Sequence, residues 1–311
     1  MKYLVSSLIL LVTTNIHATE NPKNIIMVIA DGMGPNYAPA YRYYKHANGT
    51  IEPTIFDKHL VGSASTYPHP SGELVTDSAA SGTALSSGIK TYNSAIGVDI
   101  NKKTVMSVLE YAKSIGKNTG IVVTSEINHA TPASYISHVV DREMKDEIAD
   151  SYFDGRINGK FKVDVMLGGG QEYFIRDDRN LVEEFKANGY QYFDTLTQLK
   201  RPADKRQVIG LFAKKGLPAH IDDKNKNRLT TMTSFAINQL TTDLQNDKGF
   251  FLLIEASQID WAAHDNDIAV AMNEMAELED TMEFLSSYVN TNPDTLVVLT
   301  ADHNTGGFSI G

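Results

Sequence analysis

Asp302 and His303 stand side by side directly after an apolar run. A carboxylate next to an imidazole is a donor pair that suits zinc while tolerating other ions. Alone, the pair fits a loop-end Asp with a solvated His equally well. The stretch 255–264 (EASQIDWAAH) adds Glu255, Asp260 and His264. Asp260 and His264 are four residues apart, so a helical turn places both on one face, either gripping one ion or standing as a solvent-exposed pair. Glu255 suits a second, harder ion with oxygen ligands. The stretch 129–142 (HATPASYISHVVDR) offers the Thr131 hydroxyl, better matched to magnesium than to zinc, and the Arg142 guanidinium. The planar fork of an Arg matches phosphate oxygens, although any single Arg also fits a plain surface position. The stretch 75–81 (VTDSAAS) puts Ser78 at the start of a helix. There the dipole and free N–H groups favour an alkoxide or a bound phosphate, and a simple N-cap serine is the alternative.

These side chains can meet only if the elements that carry them converge. Residues 24–30 (NIIMVIA) are continuously apolar, the pattern of a strand buried on both faces, and end at Asp31 with Gly32 and Gly34 just after. Residues 119–123, 163–167, 249–254 (GFFLLI) and 295–300 (TLVVLT) also read as strands. The small-residue run 76–87 (TDSAASGTALSS) reads as a tightly packed helix ending at Gly88. Thr104 reads as the N-cap of a helix reaching Gly116, and residues 227–244 and 268–288 as two further helices. Residues 125–132 read as a loop, and the polar segment 200–228 as a surface excursion. Strands alternating with helices predict an α/β fold, a mainly parallel central sheet with helices on both faces. Asp31, Glu255 and Asp302-His303 each sit where an apolar strand stops, and the functional crevice of such sheets lies at those carboxyl ends.

The chain has 311 residues, 42% of them hydrophobic and 21% charged, which suits one large soluble domain. A formal net charge of −10 argues against nucleic acid as a specific partner. An acidic protein that handles anionic phosphates must concentrate positive charge locally, and bound metal ions do this. The absence of Cys excludes thiolate metal sites, disulfides and a lipid anchor through an N-terminal Cys. Lys2, the apolar run 3–13 and the small residue Ala18 predict a secretory signal peptide over residues 1–18, too short to act as a membrane anchor. Residues 19–311 are then the catalytic domain, in a periplasmic or secreted protein.

In this order, DGMG at Asp31, VTDSAASGTALSSGIKTYN from Val75, HATPA at His129, DVMLGGG at Asp164, EASQIDWAAH from Glu255 and TADHNTGG from Thr300 resemble the alkaline phosphatase family. The match runs from Asn24 to Gly307. The resemblance implies hydrolysis of phosphate monoesters through a phosphoserine at Ser78, with two zinc ions and one magnesium ion as cofactors. It implies Asp31, Asp302 and His303 around the zinc next to Ser78, Asp260 and His264 on the other zinc, and Asp31, Thr131 and Glu255 on magnesium. Arg142 would bind the phosphate. Family members differ at the positions of His129 and Trp261, and the aromatic pair here implies contacts to magnesium and phosphate through water. Asp31, Glu255, Asp260 and Asp302 would offset about four of six positive charges on three divalent ions, leaving a field that attracts a phosphate dianion. Broad specificity for small phosphate monoesters is expected because the contacts centre on the phosphate, and the resemblance implies a homodimer at full length.

One part of the family pattern lies beyond this sequence. A further His ligand to the zinc of Asp260 and His264 comes from a strand end well past the Asp-His pair, whereas the sequence stops at Gly311. The expectation is therefore a C-terminally truncated domain with a weakly loaded second zinc, an exposed sheet edge and little activity. A related phosphodiesterase and a metal- and phosphate-binding pseudoenzyme stay open as alternatives. A sulfatase is disfavoured, because Ser78 is followed by Ala-Ala-Ser rather than x-Pro-x-Arg.

Overall fold

The strands, in chain order, are β1 (Asn24–Ala30), β2 (Asn118–Glu126), β3 (Arg156–Ile157), β4 (Lys160–Phe161), β5 (Val165–Gly169), β6 (Gln191–Phe193), β7 (Val208–Leu211), β8 (Phe250–Ala256) and β9 (Thr295–Thr300). Seven of them form one parallel sheet in the order β6-β7-β5-β2-β8-β1-β9, while β3 and β4 pair as a small antiparallel hairpin. The computed structural model describes residues 21–46, 49–70, 73–204, 207–242 and 246–310. The predicted signal peptide, residues 1–18, lies outside the described residues.

Helices cover both faces, as the alternating pattern predicts. They are α1 (Tyr37–Lys45), α2 (Ile55–Lys58), α3 (Ser78–Ser87), α4 (Val108–Ser114), α5 (Ala130–Ala133), α6 (Lys145–Asp154), α7 (Gln171–Phe174), α8 (Leu181–Ala187), α9 (Arg228–Thr241), α10 (Gln258–His264) and α11 (Ile268–Thr291). Alternate residues of each strand point to opposite faces. Ile26, Val28, Leu252 and Ile254 therefore join α1, α9, α10 and α11 in one core. Ile29, Ile121, Val123 and Leu253 join α3 to α8 in the other. Burial on both faces is why β1 and β8 are apolar along most of their length, and β2 at residues 121–123. By contrast β9 pairs only with β1 among the described strands, and Leu296 and Val298 are exposed.

Several predicted boundaries need correction. The helix expected from Thr104 begins at Val108, because Ser107 and Glu110 form a reciprocal capping box that satisfies the first free N–H groups. Thr104 instead bridges Val98. The expected loop 125–132 holds the last two residues of β2 and the first three of α5. The segment 200–228 is not simply a surface excursion, since β7 lies inside the sheet between β6 and β5. Its apolar run Val-Ile-Gly-Leu is too short to stand out from the polar residues around it.

Candidate active site

The carboxyl ends of four neighbouring strands, β2, β8, β1 and β9, gather the site. Asp31 follows β1, Asp302 and His303 follow β9, and Glu255 lies in β8 in register with Ile29 of β1 and Val123 of β2. Gly32 makes the turn after Asp31 with φ +72, where a Cβ would lie 2.7 Å from Asp260 Cα and 2.8 Å from Thr305 Oγ1. Only a glycine lets α10 and the loop after β9 close in on Asp31. Donor atoms of Asp31, Asp302 and His303 all lie within 4.8 Å of one another, as do those of Asp31, His129 and Glu255. Asp31 is thus common to both groups. His129, expected to act through water, thus stands beside the Asp31 and Glu255 carboxylates at a separation that leaves room for a water or an ion between them.

Ser78 is the first residue of α3, with Asp77 as N-cap accepting from Ala80 N–H at 2.9 Å. Its Oγ lies 3.0 Å from His303 Nε2, which stands 3.3 Å from Asp302 Oδ2 and 3.5 Å from Asp31 Oδ1. The small residues of α3 allow this approach. A Cβ on Gly82 would fall 3.1 Å from Ser134 Oγ, at the end of α5. Arg142 donates through one arm to Asp77 Oδ2 at 3.1 Å, and its other arm faces His129 Nε2 at 3.3 Å. Asp77 therefore ties the guanidinium to the helix that carries Ser78. Sequence reasoning missed this residue, although an Asp one place before a helix is a readable cap signal.

Glu255 and Thr131 sit in the same pocket of polar atoms. Ser125 and Ser257 donate to Glu255 Oε2 at 3.0 and 2.6 Å, leaving Oε1 without a partner. His129 meets Trp261 edge to face at 5.8 Å between ring centroids. The far side of the Trp261 ring abuts Gly216, where a Cβ would be 2.3 Å from its edge. Asp260 and His264 share one face of α10, as their spacing predicts, with Oδ1 and Nε2 3.5 Å apart. The His264 side chain is 69% exposed, and no group of three His, Asp or Glu donors among the described residues includes it. Thr305, also missed in the sequence, donates to Asp260 Oδ1 at 2.5 Å.

The electrostatics are those of a site built to be neutralised from outside the chain. Burial, with Asp302, Asp260 and Glu255 nearby, pushes Asp31 well above the usual carboxylate range. Burial also raises Asp302, against the opposing charge of His303, and raises Glu255 to about 7 against the hydrogen bond from Ser257. Desolvation, with Arg142 and Lys145 nearby, holds His129 well below the usual imidazole range. Both carboxylate oxygens of Asp31, Asp302 Oδ2, Glu255 Oε1 and Thr131 Oγ1 are buried without a hydrogen-bond partner among the described residues. Buried polar atoms are rarely left so, and this oxygen-rich set with two imidazoles fits divalent cations. Asp302 Oδ1, in contrast, is fixed by Gly32 N–H at 3.0 Å and His303 N–H at 2.9 Å, which aims its free oxygen inward.

The family model for alkaline phosphatase matches residues 22–311. The chain is 52% identical over 292 residues to alkaline phosphatase 3 of Bacillus subtilis (strain 168), covering 93% of this chain and 62% of that relative. It thus spans less than two thirds of the curated relative's length. Among solved structures it is similar to the cold-active alkaline phosphatase of a psychrophilic Shewanella, with 46% identity and a TM-score of 0.83 over 93% of this chain and 70% of that one. It is also similar to a variant of the alkaline phosphatase of the Antarctic bacterium TAB5 that was solved with magnesium bound. There the identity is 33% and the TM-score 0.82, over 93% of this chain and 80% of that one.

Proposed function

Because the chain belongs to the alkaline phosphatase family, we propose that it carries the catalytic site of a phosphate monoester hydrolase whose nucleophile is Ser78. The observation that carries this reading is the Ser78 hydroxyl at a helix N-terminus, 3.0 Å from His303 Nε2 and next to buried carboxylate oxygens that lack partners.

Asp31, Asp302, His303 and Ser78 would hold one zinc, and Asp260 with His264 a second. Asp31, Thr131 and Glu255 would hold magnesium, with His129 within reach; the magnesium in the TAB5 variant supports that third site. When bound, these cations neutralise the clustered carboxylates, favour the ionised serine and stabilise the departing alcohol oxygen. The chain's own residues do the rest. Arg142, held by Asp77, grips two phosphate oxygens and sets the phosphorus in line with Ser78 Oγ. Ser78 Oγ gives up its proton to solvent and bonds to phosphorus as the bond from phosphorus to the ester oxygen breaks, and the departing oxygen takes a proton from water to leave as the alcohol. The positive end of α3 favours the charge on Oγ. Water then cleaves the phosphoserine, releasing inorganic phosphate and restoring the hydroxyl. Trp261 and His129, in edge-to-face contact, would flank the bound phosphate.

Residues 1–18 we read as an export leader and residues 19–311 as the catalytic domain of a periplasmic or secreted protein. None of the described helices is long and apolar enough to cross a membrane. We read its assembly as a homodimer. The exposed His264, which joins no group of three donors among the described residues, favours a second reading in which this chain binds cations and phosphate but turns over slowly.

One experiment tests both readings: hydrolysis of p-nitrophenyl phosphate and of the matching diester by the zinc- and magnesium-loaded chain. Monoester cleavage should dominate, and Ser78→Ala should lower it by roughly 10³-fold or more while phosphate still binds. Equal rates with and without the serine, or a faster diester, would overturn the nucleophile assignment. Bound zinc and phosphate with negligible turnover would select the second reading.

A further inference from the structure

Thr305 lies in the loop after β9 and is 6% exposed. The reaction proposed above does not use it. Its backbone is fixed at both ends, the N–H donating to Gly32 O at 3.2 Å and the carbonyl accepting from the Tyr37 hydroxyl at 3.1 Å. Its Oγ1 stands between two site residues that a cation reading assigns to different ions, 2.5 Å from Asp260 Oδ1 and 3.0 Å from His303 Nδ1.

A hydroxyl has a single proton to donate. A carboxylate oxygen only accepts, so that proton is directed at Asp260. Toward His303, Oγ1 then offers only a lone pair, and a hydrogen bond forms only if Nδ1 carries the ring proton. The neutral ring in that form has its lone pair on Nε2, the nitrogen 3.0 Å from Ser78 Oγ, 3.3 Å from Asp302 Oδ2 and 3.5 Å from Asp31 Oδ1. We propose that Thr305 is a positioning residue that locks His303 in its Nδ1–H form and so turns the Nε2 lone pair toward Ser78 and the cation site. The same hydroxyl holds the Asp260 carboxylate, coupling the orientation of α10 to that of the loop after β9. Its consequence for cation binding rests on the function proposed above, but the state of the ring does not.

The test is nitrogen NMR of the histidine rings in the cation-free full chain, at a pH where the imidazole is neutral, followed by zinc affinity from chelator competition. His303 should be in the Nδ1–H form in the native chain and in Thr305→Ser, and should lose that preference in Thr305→Val. The zinc Kd should rise about tenfold or more in Thr305→Val and stay within about twofold in Thr305→Ser. A native His303 with its proton on Nε2 overturns the proposal, and this holds even if Thr305→Val fails to fold. So does a Thr305→Val chain with native ring signals and native zinc affinity. A native chain with the Nδ1–H ring but no zinc uptake would sink the cation reading and leave the role of Thr305 standing.

Discussion

Asp31 concentrates the physical problem of the site in one side chain. It is fully buried, both its oxygens lack hydrogen-bond partners among the described residues, and it belongs to both candidate donor groups. A buried charge without a partner destabilises the fold that holds it, so a ligand-binding position of this kind costs stability until its ligand arrives. Replacing Asp31 by Asn should therefore raise the melting temperature of the cation-free chain at alkaline pH. In the native chain, zinc at about a hundred times its Kd should raise melting by roughly 4 °C, and the Asn variant should lose most of that gain. Differential scanning calorimetry with and without chelator reads both effects. A destabilised variant that still responds fully to zinc would place the ion elsewhere. Asp77 and Thr305 show the complementary device, since neither needs to meet a substrate to matter. Each holds a side chain proposed to meet a ligand, Arg142 the phosphate in one case and His303 a cation in the other.

At the scale of elements, Gly170, just after β5, shows how the sheet steers the wall of the site. Gly170 N–H donates to Ala213 O and Lys215 O, each at 3.0 Å, which pins the loop after β7 against the end of β5. That loop presents Gly216 to the ring of Trp261, and Trp261 in turn meets His129. The motif DVMLGGG thus reaches the site through two contacts rather than by contributing a ligand. Gly216→Ala would place a Cβ 2.3 Å from the ring, so the ring must shift. Trp261 is the sole tryptophan, so its fluorescence reports this displacement directly. We expect a shifted emission maximum, unchanged far-ultraviolet dichroism and a stability loss of about 1–3 kcal/mol. Native emission from the variant would show that the loop yields instead of the ring.

At the scale of the whole molecule, a second charged network sits away from the site, where α4 meets the segment after α5. The Glu110 carboxylate receives His138 Nε2 at 2.8 Å and Lys162 Nζ at 2.7 Å, and is buried. Burial alone would raise Glu110, but the His138 hydrogen bond and the Lys162 charge outweigh it and hold the carboxyl at about 2. A carboxyl lower in the folded than in the unfolded chain stabilises the fold fully above its ordinary value near 4.5, and that contribution disappears as pH falls toward 2. Urea unfolding should therefore show stability dropping by a few kcal/mol between about pH 5 and pH 2, and Glu110→Gln should be weaker near neutrality with a flatter acid limb. An unchanged acid limb in the variant would assign acid sensitivity to other carboxylates.

Periodicity and residue type were enough for the strands that meet at the site. Residues 24–30, 249–254 and 295–300 are apolar because their strands are covered on one or both faces, and a polar residue at the end of such a run marks where the strand leaves the core. The convergence of Asp31, Glu255, Asp302 and His303 followed from that rule together with the parallel order of the sheet. Short elements escaped it. β7 has four residues and α5 has four, too few for either period to rise above its neighbours. Local spacing also could not show that His129 lies beside Asp31, that Asp77 holds Arg142, or that Thr305 reaches Asp260 across 45 positions of chain and joins it to His303. A linear sequence states which donors exist and which face of an element they share. Which lone pair points at which proton depends on distances between separate elements, and those are set only when the two cores on either side of the sheet pack together.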